Sequence, residues 1–148
     1  MCCCFNHTID YFSDRIEEIP LTLAGTEKQC FVNRVLDGDT IEIIFFNPTM
    51  LIGRFENIQK RRFRLEGIDD PELHSKDEVE KEHALKSKIF LEYLILHKVV
   101  KIKFTKPEKY GREMGIIYLG TANIIKLMLE KGMAREYHGE KKEKWNFN

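Results

Sequence analysis

A chain of 148 residues is long enough to bury one hydrophobic core and too short for two, so one domain with decorations is expected. Its 43% apolar and 32% charged residues exclude disorder throughout. The balance of 24 Lys and Arg against 24 Asp and Glu excludes a long-range attraction of the whole molecule to a polyanion.

The charges are nevertheless sorted along the chain. From Arg54 to Arg64 five basic residues face Glu56 alone, and from Lys98 to Arg112 six face Glu108 alone. Between them, Glu66 to Glu82 carries eight acids against Lys76 and Lys81. Two basic stretches around an acidic one suit a cation site beside a phosphate-binding surface; taken singly, each run reads as a solvated loop or helix face. Cys2, Cys3, Cys4 and Cys30 form neither a disulfide framework nor a zinc spacing, so a reducing intracellular compartment is expected. No stretch has the run of about 20 apolar residues that a spanning helix needs, and the start lacks the apolar run of a signal peptide. Neither a transmembrane segment nor secretion is expected. Adjacent cysteines near the start are candidates for S-acylation, but Cys2 stands where myristoylation needs glycine and no basic partner is nearby, which favours an ordinary tail.

In chain order, residues 1–28 have no firm pattern and read as an accessory segment, with the main domain spanning 29–148. Cys30 to Leu36 is rich in strand formers, Asp37-Gly38 is a turn, and Thr40 to Phe46 alternates as a second strand. Asn47-Pro48 and Gly53 break this pattern, and the basic stretch to Arg61 reads as an exposed connection before a third strand, Arg62 to Ile68. Asp69-Asp70-Pro71-Glu72 must leave the sheet, because proline cannot donate to a ladder. From Val79 to Leu96, Leu85, Ile89, Tyr93 and Leu96 recur at helical spacing, widened by Phe90 and Leu94, behind an acidic first turn. Val100, Ile102 and Phe104 alternate with lysines as a half-buried strand, and Glu113 to Leu119 makes another. A short helix from Asn123 to Lys131 turns Ile124, Ile125, Met128 and Leu129 inward and ends at Gly132. Three strands, a helix, two strands and a helix predict a mainly β, α+β fold: a five-stranded OB-fold barrel capped by two or three helices.

Carboxylates at Asp39, Asp69 and Glu72 fall at a strand start and in a loop leaving a strand. Brought together they repel unless a cation holds them, and a hard ion such as calcium takes carboxylate, carbonyl and water oxygens, here Asp39, Asp69 and the Asp70 carbonyl. Glu72 is then a reasonable base for a cation-bound water. Arg64 and Arg112 carry guanidinium groups that match phosphate oxygens in a fork and stabilise a pentacoordinate transition state. Each piece alone has a plainer reading: Asp37-Gly38-Asp39 as a hairpin turn, Asp69 to Glu72 as a wet loop, Lys109 to Arg112 as a glycine turn. The five histidines form no i,i+4 metal pair, which disfavours a zinc or other histidine-metal site. Tyr118 in an alternating strand reads as core, and Trp145 as an apolar anchor.

Val35-Leu36-Asp37-Gly38-Asp39-Thr40, Phe63-Arg64-Leu65 with Asp69-Asp70-Pro71-Glu72, Lys109-Tyr110-Gly111-Arg112 and Leu129-Glu130-Lys131-Gly132-Met133-Ala134 together resemble the staphylococcal nuclease family, from about Gln29 to Tyr137. The resemblance implies a calcium-dependent endonuclease hydrolysing DNA or RNA by in-line attack of water, with 3′-phosphate products. It implies calcium at Asp39, Asp69 and the Asp70 carbonyl, Glu72 as base, and Arg64 and Arg112 on the scissile phosphate. Lys109 and Tyr110 would contact a terminal phosphate, and Tyr137 would line the nucleotide pocket. A monomer is expected. Asp70 departs from the family's usual threonine and adds a carboxylate beside the ion. The connection from Asn47 to Arg62 is longer than in compact members, and a C-terminal helix has to fit within Gly139 to Asn148. The alternative function is a catalytically silent barrel that binds nucleic acid or protein.

Overall fold

The computed structural model describes residues 23–46, 58–107 and 112–147. The expectations for residues 1–22, for most of the Asn47 to Arg62 connection, and for Lys109 and Tyr110 lie outside the described residues.

Strand β1 (Glu27–Val35) buries Cys30 and Val32, then shifts phase to bury Val35, because a bulge between Val32 and Arg34 inserts an extra residue opposite β2 (Thr40–Phe46). In β2 the alternation holds, with Ile41, Ile43 and Phe45 inside. β3 (Ile58–Leu65) starts earlier than its hydrophobicity suggested: Lys60, Arg61 and Arg62 are exposed but belong to the strand, which pairs along the whole of β2 from Phe46↔Ile58 to Thr40↔Arg64. Backbone pairing with an apolar partner strand carries this stretch beyond the core, where no apolar side chain is needed.

β5 (Val99–Pro107) pairs antiparallel with β1 and with β6 (Glu113–Leu119), and a short parallel pairing of β3 with β6 closes the five-stranded barrel. At Gly115 the strands approach so closely that a Cβ would fall 2.0 Å from the Lys103 carbonyl oxygen. The two-residue strands β4 (Ile68–Asp69) and β8 (Arg135–Glu136) pair apart from the barrel, while β7 (Ala122–Asn123) extends β6. The barrel is filled by Val32, Ile41, Ile43, Phe63, Leu65, Ile102 and Ile117, with the Phe104 ring edge-on to Phe63 at 5.7 Å. This is the OB-type barrel expected from the order of elements.

Helix α1 (Glu78–Ile95) begins where the Asp77 side chain accepts a hydrogen bond from the Val79 amide at 3.0 Å. Its buried face is Ala84, Ser87, Leu91 and Ile95. The stripe Leu85, Ile89 and Tyr93 points outward instead, with residues 51%, 53% and 78% exposed. Small side chains at 84 and 87 line the first half of that face and large apolar ones, Leu91 and Ile95, the second, so hydrophobicity marks the packed face only toward the end of the helix. Helix α2 (Ile124–Glu130) is capped by Asn123 and buries Ile124, Ile125 and Met128, with Leu129 half-buried. Residues 141–147 form no helix, which corrects the expectation of one between Gly139 and Asn148.

Candidate functional site

The site is assembled where β2 begins and β3 ends. The turn preceding β2 is closed by the Leu36 amide donating to the Thr40 carbonyl at 2.9 Å, and within it the Asp39 amide donates to Asp37 Oδ1 at 3.2 Å. The register that sets Thr40 opposite Arg64 brings the Arg64 guanidinium beside Asp39, with Nη2 to Oδ2 at 2.6 Å. The same nitrogen lies 3.7 Å from Asp69 Oδ1 and 3.4 Å from the Ile68 carbonyl oxygen. Thr40 donates its hydroxyl to Asp39 Oδ1 at 2.7 Å. Asp39 and Asp69 are thus buried carboxylates joined through one guanidinium.

The carboxylates that converge are Asp37, Asp39 and Asp70, each offering an oxygen within 4.8 Å of the others. Asp70 Oδ2 accepts from the Gly38 amide at 2.7 Å and so fastens the turn to the loop that leaves β4. Burial pushes the Asp39 carboxyl well above the ordinary range, and the Asp70 and Asp37 carboxylates add to this against Arg64 and the Thr40 hydroxyl. Burial and then the Asp37 charge push Asp70 the same way, opposed first by the Gly38 amide. Three crowded oxygen donors whose charges burden one another fit a hard divalent cation, which relieves both the repulsion and the burial.

Asp69 faces other partners. The β4–β8 register sets Arg135 opposite it, and Arg135 Nη2 donates to Asp69 Oδ2 at 3.0 Å. Lys142 Nζ lies 2.7 Å from Asp69 Oδ1 and 3.1 Å from Glu72 Oε1. The Glu72 side chain is 65% exposed, at the rim of the buried group. Arg112 immediately precedes Glu113, which pairs with Phe63, so it sits at the end of the pairing that contains Arg64. Tyr137 is half-buried and its amide donates to the Gly67 carbonyl at 2.9 Å. Tyr118 is half-buried with the Lys101 ammonium 5.3 Å from its ring centroid.

Among the expected site residues the structure groups Asp39, Arg64, Asp69, Asp70 and Glu72, and places Arg112 just before the adjoining strand β6. Asp37 was read only as a turn residue, although an Asp on each side of a glycine is itself a signal for paired oxygen donors. Arg135 and Lys142 had no local signal, since they reach Asp69 and Glu72 across 66 and 70 residues respectively.

No curated protein matches the chain. The model of the staphylococcal nuclease homologue family matches residues 62–147, a range that contains Arg64, Asp69, Asp70, Glu72 and Arg112, while Asp39 joins them through the β2–β3 pairing. That match spans more than half of the chain, which therefore belongs to the family of staphylococcal nuclease homologues.

Proposed function

We propose that the chain hydrolyses phosphodiester bonds of DNA or RNA with a bound calcium ion, by in-line attack of water, leaving 3′-phosphate products. The observation that carries this reading is Arg64 lying between the buried carboxylates of Asp39 and Asp69, with Glu72 exposed at the same rim. Asp39 and Asp69, with the Asp70 carbonyl, are the ligands the resemblance implies, and Asp37 and the Asp70 carboxylate extend that oxygen set. When bound, the cation supplies Lewis-acid stabilisation of the phosphoryl charge and acidity to a water molecule.

The chain's own groups divide the remaining work. Glu72 accepts the proton of the attacking water, and its exposure lets solvent and substrate reach it. Arg64 and Arg112 hold the phosphate oxygens as charge develops on them. Arg64 is oriented in advance by Asp39, so little reorganisation is left for the reaction itself. Lys109 and Tyr110 bind a terminal phosphate, and Tyr137 lines the nucleotide pocket.

A second reading is a silent barrel that binds nucleic acid, and the exposed Lys60, Arg61 and Arg62 on β3 favour it. Cleavage of labelled single-stranded DNA and RNA, with calcium or chelator and beside Glu72→Gln, separates the two. Calcium-dependent cleavage that the variant loses supports hydrolysis. Salt-dependent binding without cleavage would support the silent barrel.

A further inference from the structure

After β8 the chain turns back over the site. At Gly139, where φ is +97°, it adopts a conformation that favours glycine, and segment 141–147 then runs without helix or strand. Arg135 and His83 anchor this segment. Arg135 Nη2 donates to the Glu143 carbonyl at 2.6 Å while the guanidinium carbon lies 4.2 Å from the Trp145 ring centroid. Trp145 stacks on Phe147 at 5.6 Å, and Phe147 stacks on His83 of α1 at 4.0 Å with ring planes within 8°.

Just before these anchored residues, Lys142 brings its ammonium group to both Asp69 and Glu72. An ion pair between exposed side chains is commonly worth little, but Asp69 is 1% exposed, so Lys142 covers the opening of a buried carboxylate. Arg135 also links the strap to the site directly, because one of its nitrogens serves both Asp69 Oδ2 and the Glu143 carbonyl. Arg64, Arg135 and Lys142 thus surround Asp69, and two of them are shared with other carboxylates, Arg64 with Asp39 and Lys142 with Glu72.

We propose that segment 141–147 is an autoinhibitory strap in which the Lys142 ammonium stands at Asp69 and Glu72 in place of a divalent cation, so that cation entry and strap release are coupled. This rests on the assignment, in the nuclease reading, of Asp69 as a cation ligand and of Glu72 as the base beside it. An ammonium and a divalent cation repel each other and compete for the Asp69 carboxylate, so each binds more weakly when the other is in place. By linkage, whatever frees the strap raises cation affinity, and the cation frees the strap to the same degree.

Trp145 is the single tryptophan of the chain, so its emission reports the strap without any assay of activity. The test titrates calcium alone into the full chain and into Lys142→Gln, following heat by calorimetry and Trp145 emission. The expected result is a calcium-dependent red shift in the wild type, calcium affinity about tenfold higher in Lys142→Gln, and an emission in that variant already shifted in chelator. Lys144→Gln, at an exposed neighbour, controls for net charge and leaves affinity unchanged. Equal affinities in wild type and Lys142→Gln, an unmoved Trp145 emission, or an equal gain in Lys144→Gln would overturn the strap and leave the cation reading standing. Failure of calcium to bind either protein would overturn both.

Discussion

Asp39 and Arg64 form a buried ion pair, Oδ2 to Nη2 at 2.6 Å, with side chains only 3% and 11% exposed. The β2–β3 register produces this pair, and the Leu65 amide donating to the Asp39 carbonyl at 2.8 Å holds the two strand ends together. Removing the charge of Arg64 strands Asp39 in the interior, so Arg64→Met should cost about 3 kcal/mol in denaturant unfolding. Arg64→Lys keeps a charge but loses the planar fork. It should cost about 1 kcal/mol and lower turnover about 100-fold. Near-normal cleavage by Arg64→Lys would remove Arg64 from the phosphate-binding role.

Glu72 presents the opposite balance of stability and chemistry. Its side chain is 65% exposed and forms an ion pair with Lys142, itself 44% exposed. Glu72→Gln should therefore change unfolding free energy by less than about 0.5 kcal/mol. Loss of its base should lower turnover on the order of 100-fold or more. A thermal melt beside a cleavage time course checks both parts, and gross unfolding of the variant would undo the inference that this residue acts only in the chemistry.

Much of this site was legible because short-range geometry makes it. An Asp at a strand start and an Arg near the end of the next strand must meet if the two strands form a hairpin, and Asp39 and Arg64 do so through Thr40↔Arg64. The alternation in β2, β5 and β6 marked the barrel for the same local reason. The face of α1 was misread because Leu85 and Ile89 have strong helical spacing, whereas the packed face of Ala84, Ser87, Leu91 and Ile95 begins with two small residues that carry almost no hydrophobic signal. Arg135 and Lys142 were invisible because they meet Asp69 through the β4–β8 ribbon and the strap, which no window of sequence contains.

Gly38 illustrates how closely α1 rests on the site. A Cβ there would fall 2.0 Å from Ser87 Oγ, 2.7 Å from Asp70 Oδ2 and 2.9 Å from Ser87 Cβ. Gly38→Ala should destabilise by about 2 to 3 kcal/mol by forcing helix and turn apart. Ser87 Oγ is buried without a hydrogen-bond partner among the described residues, so Ser87→Ala alone should be neutral or slightly stabilising. Combined with Gly38→Ala it should recover about 1 kcal/mol of the loss. A double-mutant cycle by denaturant unfolding measures that coupling, and simple additivity would show that the crowding lies at Asp70 instead.

Cys30 gives a pH dependence that is separate from the site. It lies in the core of β1, 1% exposed, and burial pushes its thiol from 9.0 up to about 12, slightly offset by the charge of Lys28. The native thiol is an acid with a raised pKa, so its neutral form is the one the fold keeps. Below pH 9 both folded and unfolded chains hold the proton, and Cys30 contributes no pH dependence. Between pH 9 and about 12 the unfolded chain loses its proton while the folded chain keeps it. Fewer protons on the unfolded state mean that unfolding free energy falls with rising pH, at up to about 1.4 kcal/mol per unit for this one group. Cys30→Val removes the thiol while keeping an apolar side chain in the core, so the wild type should lose stability more steeply than the variant from pH 9 to 11 in urea titrations. The same neutrality predicts that the native Cys30 resists alkylation at pH 8 and reacts once the chain is unfolded. Parallel slopes in the two proteins, with fast labelling of Cys30 in the native state, would mean that the core around β1 opens to solvent far more readily than its packing implies.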